Sequence, residues 1–331
     1  MILAGDIGGT KCTLTLFTAD ASTPKAVLRF STSTRAAANF ESVLDNFREH
    51  AGRQGYRLNG NLAAAAFGVA GAIVDDSVVT NNLPWSIETR AVAKNLGLGP
   101  AQTLLLNDLV ACASSLAHLK EGDLLVLNAG TPQPRAPKAL IAAGTGLGEA
   151  ILFWDGQRYR VSPSEASLTD FAPRNDREFL LVQSLRQRMP HVCSEEIVSG
   201  RGFRAIHQII FPGVQHSWFD DPSVDSAARI TQQGLAGACP ACVETLQLWT
   251  EAYGAEAGNM ALRILPFGGV YVSGGIALKI LPKLRDGSFV KAFSDKAKLS
   301  KQLAKIPIYV VLNEDAPVLG AAYEALAVSK N

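Results

Sequence analysis

Two glycine- and threonine-rich stretches carry residue types that could do chemistry: Gly5-Asp6-Ile7-Gly8-Gly9-Thr10-Lys11 and Ala143-Gly144-Thr145-Gly146-Leu147-Gly148. Glycine lets backbone N–H groups approach an anion closely and reaches positive φ at little cost, and a threonine hydroxyl adds a donor on the same rim. Both stretches are therefore expected to grip phosphate, on opposite sides of a cleft. Asp6 distinguishes the first, because a carboxylate beside a phosphate grip requires a cation between them, with magnesium the natural candidate. Hairpin turns use the same residue types, but the pairing of two such loops, one with an acidic member, favours phosphate. Lys11 comes after threonine, so there is no Gly-Lys P-loop. Gly144 to Glu149 is one residue short of the dinucleotide fingerprint.

Further candidates sit at predicted strand ends. Asn107-Asp108 comes after the apolar run Thr103-Leu104-Leu105-Leu106, where open α/β sheets bind ligands. One of the two could simply cap the next helix. The chemical reading has one side chain orienting a hydroxyl and the other accepting its proton. Glu165 and Glu195 lie just past predicted elements and, read alone, are surface carboxylates. Gly274-Gly275 closes a buried strand, either as a plain turn or as bare backbone against a base and ribose.

The elements that must position these residues can be read from periodicity. Strands are expected at Met1 to Ala4, Cys12 to Phe17, Ala26 to Ser33 and Leu62 to Val69, with a helix over Asn39 to Gly52 burying Phe40, Val43, Leu44 and Phe47. A short extended pair (Ile73 to Thr80), a loop at Asn81-Asn82-Leu83-Pro84-Trp85 and a helix to Leu96 come next, and Leu109 to Leu119 is a second helix. After Gly122 the plan restarts with Leu124 to Leu127, the second glycine loop and Arg158 to Val161. Helices dominate from Asp176 to Pro266, and strands Gly269 to Ser273 and Ile308 to Leu312 precede a last helix from Pro317 to Val328. Both strands leaving the loops end in Leu-Phe, as an old duplication would leave them.

At 331 residues, 47% hydrophobic and 18% charged, the chain can fill two cores, and it has no run long and apolar enough to span a membrane. Its 31 basic and 30 acidic residues are spread without blocks, so charge gives no support for nucleic acid or membrane as a partner. A first strand that begins at once is expected to leave no room for a signal peptide or an added DNA-binding module. Five scattered cysteines fit reduced, cytoplasmic usage. Cys239-Pro240-Ala241-Cys242 has metal or redox spacing, yet no second Cys or His pair lies closely downstream, so a helix start is the favoured reading. The five histidines, His50, His118, His191, His207 and His216, are assigned no chemistry.

Taken in order, these pieces resemble the bacterial glucokinase family of the actin/hexokinase/Hsp70 superfamily. The resemblance runs through the Asp-Ile-Gly-Gly-Thr-Lys loop, Asn82-Leu83-Pro84-Trp85, Leu106-Asn107-Asp108, the second glycine loop and Glu165 with Asp170-Phe171-Ala172-Pro173. It continues through Glu195 with Ser199-Gly200, Gly269 to Gly275, and Pro317-Val318-Leu319-Gly320. It implies two ribonuclease H-like α/β domains with an interdomain cleft, residues 1–118 with 313–331 and residues 119–312. It also implies ATP and magnesium between the loops, a hexose at the domain boundary, and a homodimer. Carried over by position, Asp108 is the general base and Asn107 orients a neighbouring hydroxyl, while Glu165, Glu195 and Asn82 bind the sugar. Gly8, Gly9, Thr10, Lys11, Gly144, Thr145 and Gly146 hold phosphates, Asp6 holds hydrated magnesium, and Gly274 and Gly275 border adenosine.

The sequence departs from the family at one loop. Where relatives read Glu-Gly-Gly-His, this chain reads Glu165-Ala166-Ser167-Leu168. Leu168 replaces a histidine that hydrogen-bonds the sugar, a loss of ~1–3 kcal/mol of binding, with Ser167 or Thr169 as candidate substitutes. The alternatives to a glucose kinase are a kinase for another hexose or amino sugar, or a sugar sensor with weakened turnover. The Cys-x-Cys-Gly-x-x-Gly-Cys pattern of the zinc-bearing sugar kinase and repressor branch is absent.

Overall fold

The computed structural model describes residues 1–19, 23–79, 83–219 and 221–329. Strands β1 (Ile2–Ile7), β2 (Lys11–Phe17), β3 (Ala26–Ser33) and β4 (Ala64–Val69) are succeeded by a short ribbon, β5 (Ala72–Val74) with β6 (Ser77–Val79), and by β7 (Thr103–Asn107). The first sheet has the order β3-β2-β1-β4-β7. β1 is antiparallel to β2 but parallel to β4, which is parallel to β7.

Both faces of this sheet are buried, and period two decides which residue faces which layer. Leu3, Ile7, Leu14 and Phe67 join Phe40, Val43, Leu44 and Phe47 of the helix Phe40–Arg53. Asn39 caps that helix in a reciprocal box with Ser42, which fixes its start. Ile2, Ala4, Ala64 and Ala66 pack instead against Val318, Ala321, Ala322 and Ala325 of the last helix, Ala316–Val328. Small side chains let this helix lie close. A Cβ on Gly320 would fall 1.7 Å from the Ala111 carbonyl oxygen.

A second sheet is built from β8 (Leu124–Asn128), β9 (Lys138–Ala143), β10 (Leu147–Trp154), β11 (Tyr159–Ser164), β12 (Val270–Ser273) and β13 (Ile308–Val311), in the order β11-β10-β9-β12-β13-β8. Its first five positions repeat the first sheet. β8 has no counterpart there: Leu124 to Leu127, expected to restart the plan, instead forms an antiparallel edge on β13, and the repeat begins at β9. The 25-residue helix Pro240–Ile264 buries Trp249 and Tyr253, with Trp249 stacked on Phe203 at 4.4 Å. Two compact units result: Met1–Lys120 with Tyr159–Pro163 and the segment from Asn313 onward, and Glu121–Arg158 with Ser164–Leu312. None of the described helices is long and apolar enough to cross a membrane.

Candidate active site

In the first unit, parallel pairing brings the carboxyl ends of β1, β4 and β7 to one edge: Asp6 is level with Gly68, and Ile7 with Val69, which in turn is level with Asn107. β7 runs through Asn107, and the next helix is Asp108–Ser115, which ends four residues before the Leu119 expected. Asn107 is its cap, accepting from Leu109 N–H at 2.9 Å and Val110 N–H at 3.4 Å, while its amide donates to the Gly71 carbonyl at 3.0 Å. The capping reading therefore holds for Asn107 and does not displace Asp108. The cap sets Asp108 as the first helical residue, half-buried at the strand edge. Gly68 makes this possible, since a Cβ there would meet Ala111 Cβ at 2.8 Å.

The first glycine loop spans the β1–β2 hairpin. Gly8 N–H donates to the Lys11 carbonyl at 3.0 Å, and Thr34, fully buried, braces the turn by donating its hydroxyl to the Gly8 carbonyl at 2.6 Å and its N–H to the Thr10 carbonyl at 3.0 Å. Asp6 lies on the same face as Ile2 and Ala4 and senses Asp108 and Asp315, the residue that opens the last helix. Burial first, then the charges of Asp108 and Asp315, push its carboxyl up to about 6, against the pull of Lys11. Arg29 pairs with Asp315 at 2.6 Å, and the carboxylates of Asp6 and Asp108 are oxygen ligands of the kind a hard divalent cation takes. Sequence reasoning missed Thr34 and Asp315. Asp315 could have been found as the carboxylate preceding Pro317 at a strand-to-helix turn.

In the second unit, the loop Gly144–Gly146 joins β9 to β10. Gly144 N–H donates to the Gly146 carbonyl, and Gly200 N–H to the Gly144 carbonyl, both at 2.8 Å. Glu195, on the short helix Ser194–Ile197, accepts from Leu147 N–H at 2.9 Å and pairs with Arg201 at 2.5 Å. A Cβ on Gly146 would stand 2.5 Å from Glu195 Oε2. The glycines of both loops were expected to supply positive φ, but Gly8, Gly9, Gly144 and Gly146 do not adopt it. At Gly146 what is needed is close approach. Gly274 is the exception, at φ 92°, and a Cβ there would meet the Ala143 carbonyl oxygen at 2.5 Å. The strand end that leads into the helix beginning at Gly275 is thus held against the root of the second loop.

Glu165 is exposed and precedes the tight turn Ala166–Leu168. Backbone bonds from Phe171 N–H to Val192 and from Ser194 N–H to Thr169, each 3.0 Å, tie its loop to the segment carrying Glu195. Leu168 is half exposed, Ser167 is buried, and the Thr169 hydroxyl donates to the Ala166 carbonyl at 2.7 Å. Ser167 is thus folded into the turn, whereas Thr169 is exposed and its hydroxyl, donating to Ala166, keeps its acceptor capacity. Asn82 lies outside the described residues.

Beneath this segment, Ser194 donates to Glu256 at 3.0 Å, and Glu149 is buried with both carboxyl oxygens unpartnered. Burial, reinforced by the Glu256 charge and opposed by Arg263, pushes the Glu149 carboxyl up from 4.5 to about 8. Folding therefore takes up a proton between these values, and the stability present at low pH is lost as pH rises toward 8. Glu149→Gln should flatten that slope and raise the Tm at pH 8.5 by ~3–10 °C while changing it little at pH 5. Parallel Tm–pH curves for parent and variant would show that Glu149 holds no such proton.

A model of the glucokinase family matches residues 3–328. A glucokinase of Nostoc sp. is 35% identical over 97% of this chain and 98% of its own length, and one of Synechocystis sp. is 36% identical over 97% and 96%. The fold is similar to a crystal structure of glucokinase from an Antarctic psychrotroph, with a TM-score of 0.84 at 26% identity and 98% of both chains covered. Both units thus have the α/β architecture of the actin-like ATPase fold. Matched over nearly its whole length by the family and by relatives above 30% identity, the chain belongs to the glucokinase family.

Proposed function

We propose that the protein transfers the γ-phosphoryl group of ATP to the 6-hydroxyl of glucose. The observation that carries this reading is Asp108, set by the Asn107 cap as the first residue of a helix at the strand edge that also holds Asp6. Asp108 accepts the hydroxyl proton as the oxygen attacks phosphorus, and Asn107 orients a neighbouring hydroxyl. Glu165 and Glu195, both in the second unit, accept hydrogen bonds from ring hydroxyls, and Asn82 is assigned to sugar recognition as the family resemblance implies. Backbone N–H groups of Gly8, Gly9, Thr10, Gly144, Thr145 and Gly146, with Lys11, hold phosphate oxygens. Gly274 and Gly275 leave bare backbone for adenosine.

Asp6 would hold magnesium through water, and the ion would neutralise charge on the transferred group. The carboxylate-rich surroundings of Asp6 support this assignment. The partner is a small-molecule hexose, and the family resemblance favours a cytoplasmic homodimer.

The test is ADP formation with a panel of glucose, mannose and amino sugars. Glucose should give the highest kcat/KM, and turnover of another hexose with none of glucose would overturn the substrate. Because the Leu168 side chain can neither donate nor accept, Leu168→His should lower the KM for glucose roughly tenfold with kcat unchanged. A parent already saturated at micromolar glucose, or a variant with raised KM, would show that this loop is built around leucine.

A further inference from the structure

Away from the glycine loops, the second unit gathers four residues that could hold a metal: His207 on the helix Gly200–Ile210, His216 in the loop after it, and Cys239 and Cys242 at the start of the helix Pro240–Ile264. The two histidines, expected to carry no chemistry, precede the Cys-x-x-Cys in sequence and are folded back onto it. One ligand atom from each residue lies within 4.8 Å of all the others. His216 Nε2 is 3.8 Å from Cys239 Sγ and 3.7 Å from Cys242 Sγ. A tetrahedral zinc with Zn–S of about 2.3 Å and Zn–N of about 2.0–2.1 Å requires S···N separations of ~3.6 Å.

His207 supplies an independent observation. It is fully buried, and neither ring nitrogen has a hydrogen-bond partner. Its surroundings are aromatic, with Phe219 at 5.0 Å and Phe211 at 5.9 Å, while His216 stacks on Trp218 at 4.5 Å. A buried imidazole with no partner is costly unless something binds it. A Cys239–Cys242 disulfide would leave both imidazoles unexplained, whereas a metal uses all four groups.

We propose that His207, His216, Cys239 and Cys242 bind one zinc ion in a closed, structural site. Binding releases two thiol protons and the ion's hydration waters to solvent and forms two zinc–thiolate and two zinc–imidazole bonds, with no change of oxidation state. The product, one dication with two thiolates and two neutral imidazoles, carries no net charge, as a buried aromatic setting demands. Cys242 N–H already donates to Cys239 Sγ at 3.4 Å, the contact that supports a ligating thiolate. Four protein ligands leave no position for substrate, so the ion acts as a staple. It joins the helix Gly200–Ile210 and its adjoining loop to the long helix whose Trp249 donates to the Ser199 carbonyl at 3.0 Å and whose Glu256 receives Ser194.

The full-length protein, produced with zinc in the medium and dialysed without chelator, should carry about one zinc per chain by mass spectrometry of the metals. After chelation, titration with Co2+ should give thiolate-to-cobalt and tetrahedral d–d absorption that saturates at one equivalent and is displaced by zinc. Cys239→Ser should lose the charge-transfer intensity and the bound metal with helical content retained. If that variant does not fold, His216→Ala, which changes a loop residue, should show the same loss. A parent that is reduced, metal-free and spectroscopically silent with cobalt would overturn the site, as would a native Cys239–Cys242 disulfide. These readouts do not depend on phosphotransfer, so their failure is distinct from failure of the kinase reading.

Discussion

Asp108→Asn should lower turnover by at least ~10²-fold, the contribution of a positioned general base. The substitution is well suited to isolating that role. Asparagine has the same shape, its carbonyl oxygen can keep the bond that Asp108 Oδ1 accepts from Leu109 N–H at 2.9 Å, and the helix cap belongs to Asn107. Losing a negative charge from the first turn costs only ~0.3–1 kcal/mol. The fold and equilibrium glucose binding should therefore survive while kcat collapses. Near-parental kcat in a folded variant would mean that the carboxylate serves only the helix.

The second large effect is expected at Asp6. Its carboxyl is held near 6 by burial and by Asp108 and Asp315, so in the metal-free protein its charge is unfavourable. Asp6→Ala removes that repulsion, and thermal stability should hold or rise. Activity should nevertheless fall ~10²–10³-fold, because several kcal/mol of charge neutralisation on the transferred phosphoryl group would be lost. Excess chelator should reproduce the loss in the parent and add little in the variant. Full phosphotransfer by the parent in excess chelator would remove magnesium, and this role of Asp6, from the mechanism.

Much of the fold is legible in the sequence because hydrophobic period and turn chemistry agree locally. The helix capped by Asn39, the third strand and the two hairpins can each be read from a few residues. What sequence does not show is long-range. β8 has the composition of a buried strand, and only its pairing with β13 reveals it as an edge. Thr34 braces the first loop from a position far along the chain, and Asp315 reaches Asp6 because the last helix returns to the first strand. Glycine in a sequence suggests a conformational device, whereas Gly68, Gly146 and Gly320 act by leaving room for a neighbouring element. The Cys-x-x-Cys has no partner pair downstream, and the histidines that the fold sets beside it lie upstream.

The last helix, Ala316–Val328, sets an order for synthesis. The alanine-rich face formed by Ile2, Ala4, Ala64 and Ala66 emerges early from the ribosome, yet the Val318, Ala321, Ala322 and Ala325 that cover it are translated only after every described strand of both sheets. Until that helix is made, the helix Asp108–Ser115, through Ala111, is the earlier-made cover on that face of the first sheet, while all described strands of the second sheet already exist. The sheet encoded first is therefore covered last, and a chain that stops just short of Ala316 leaves Ile2, Ala4, Ala64 and Ala66 without the side chains of the last helix that pack on them.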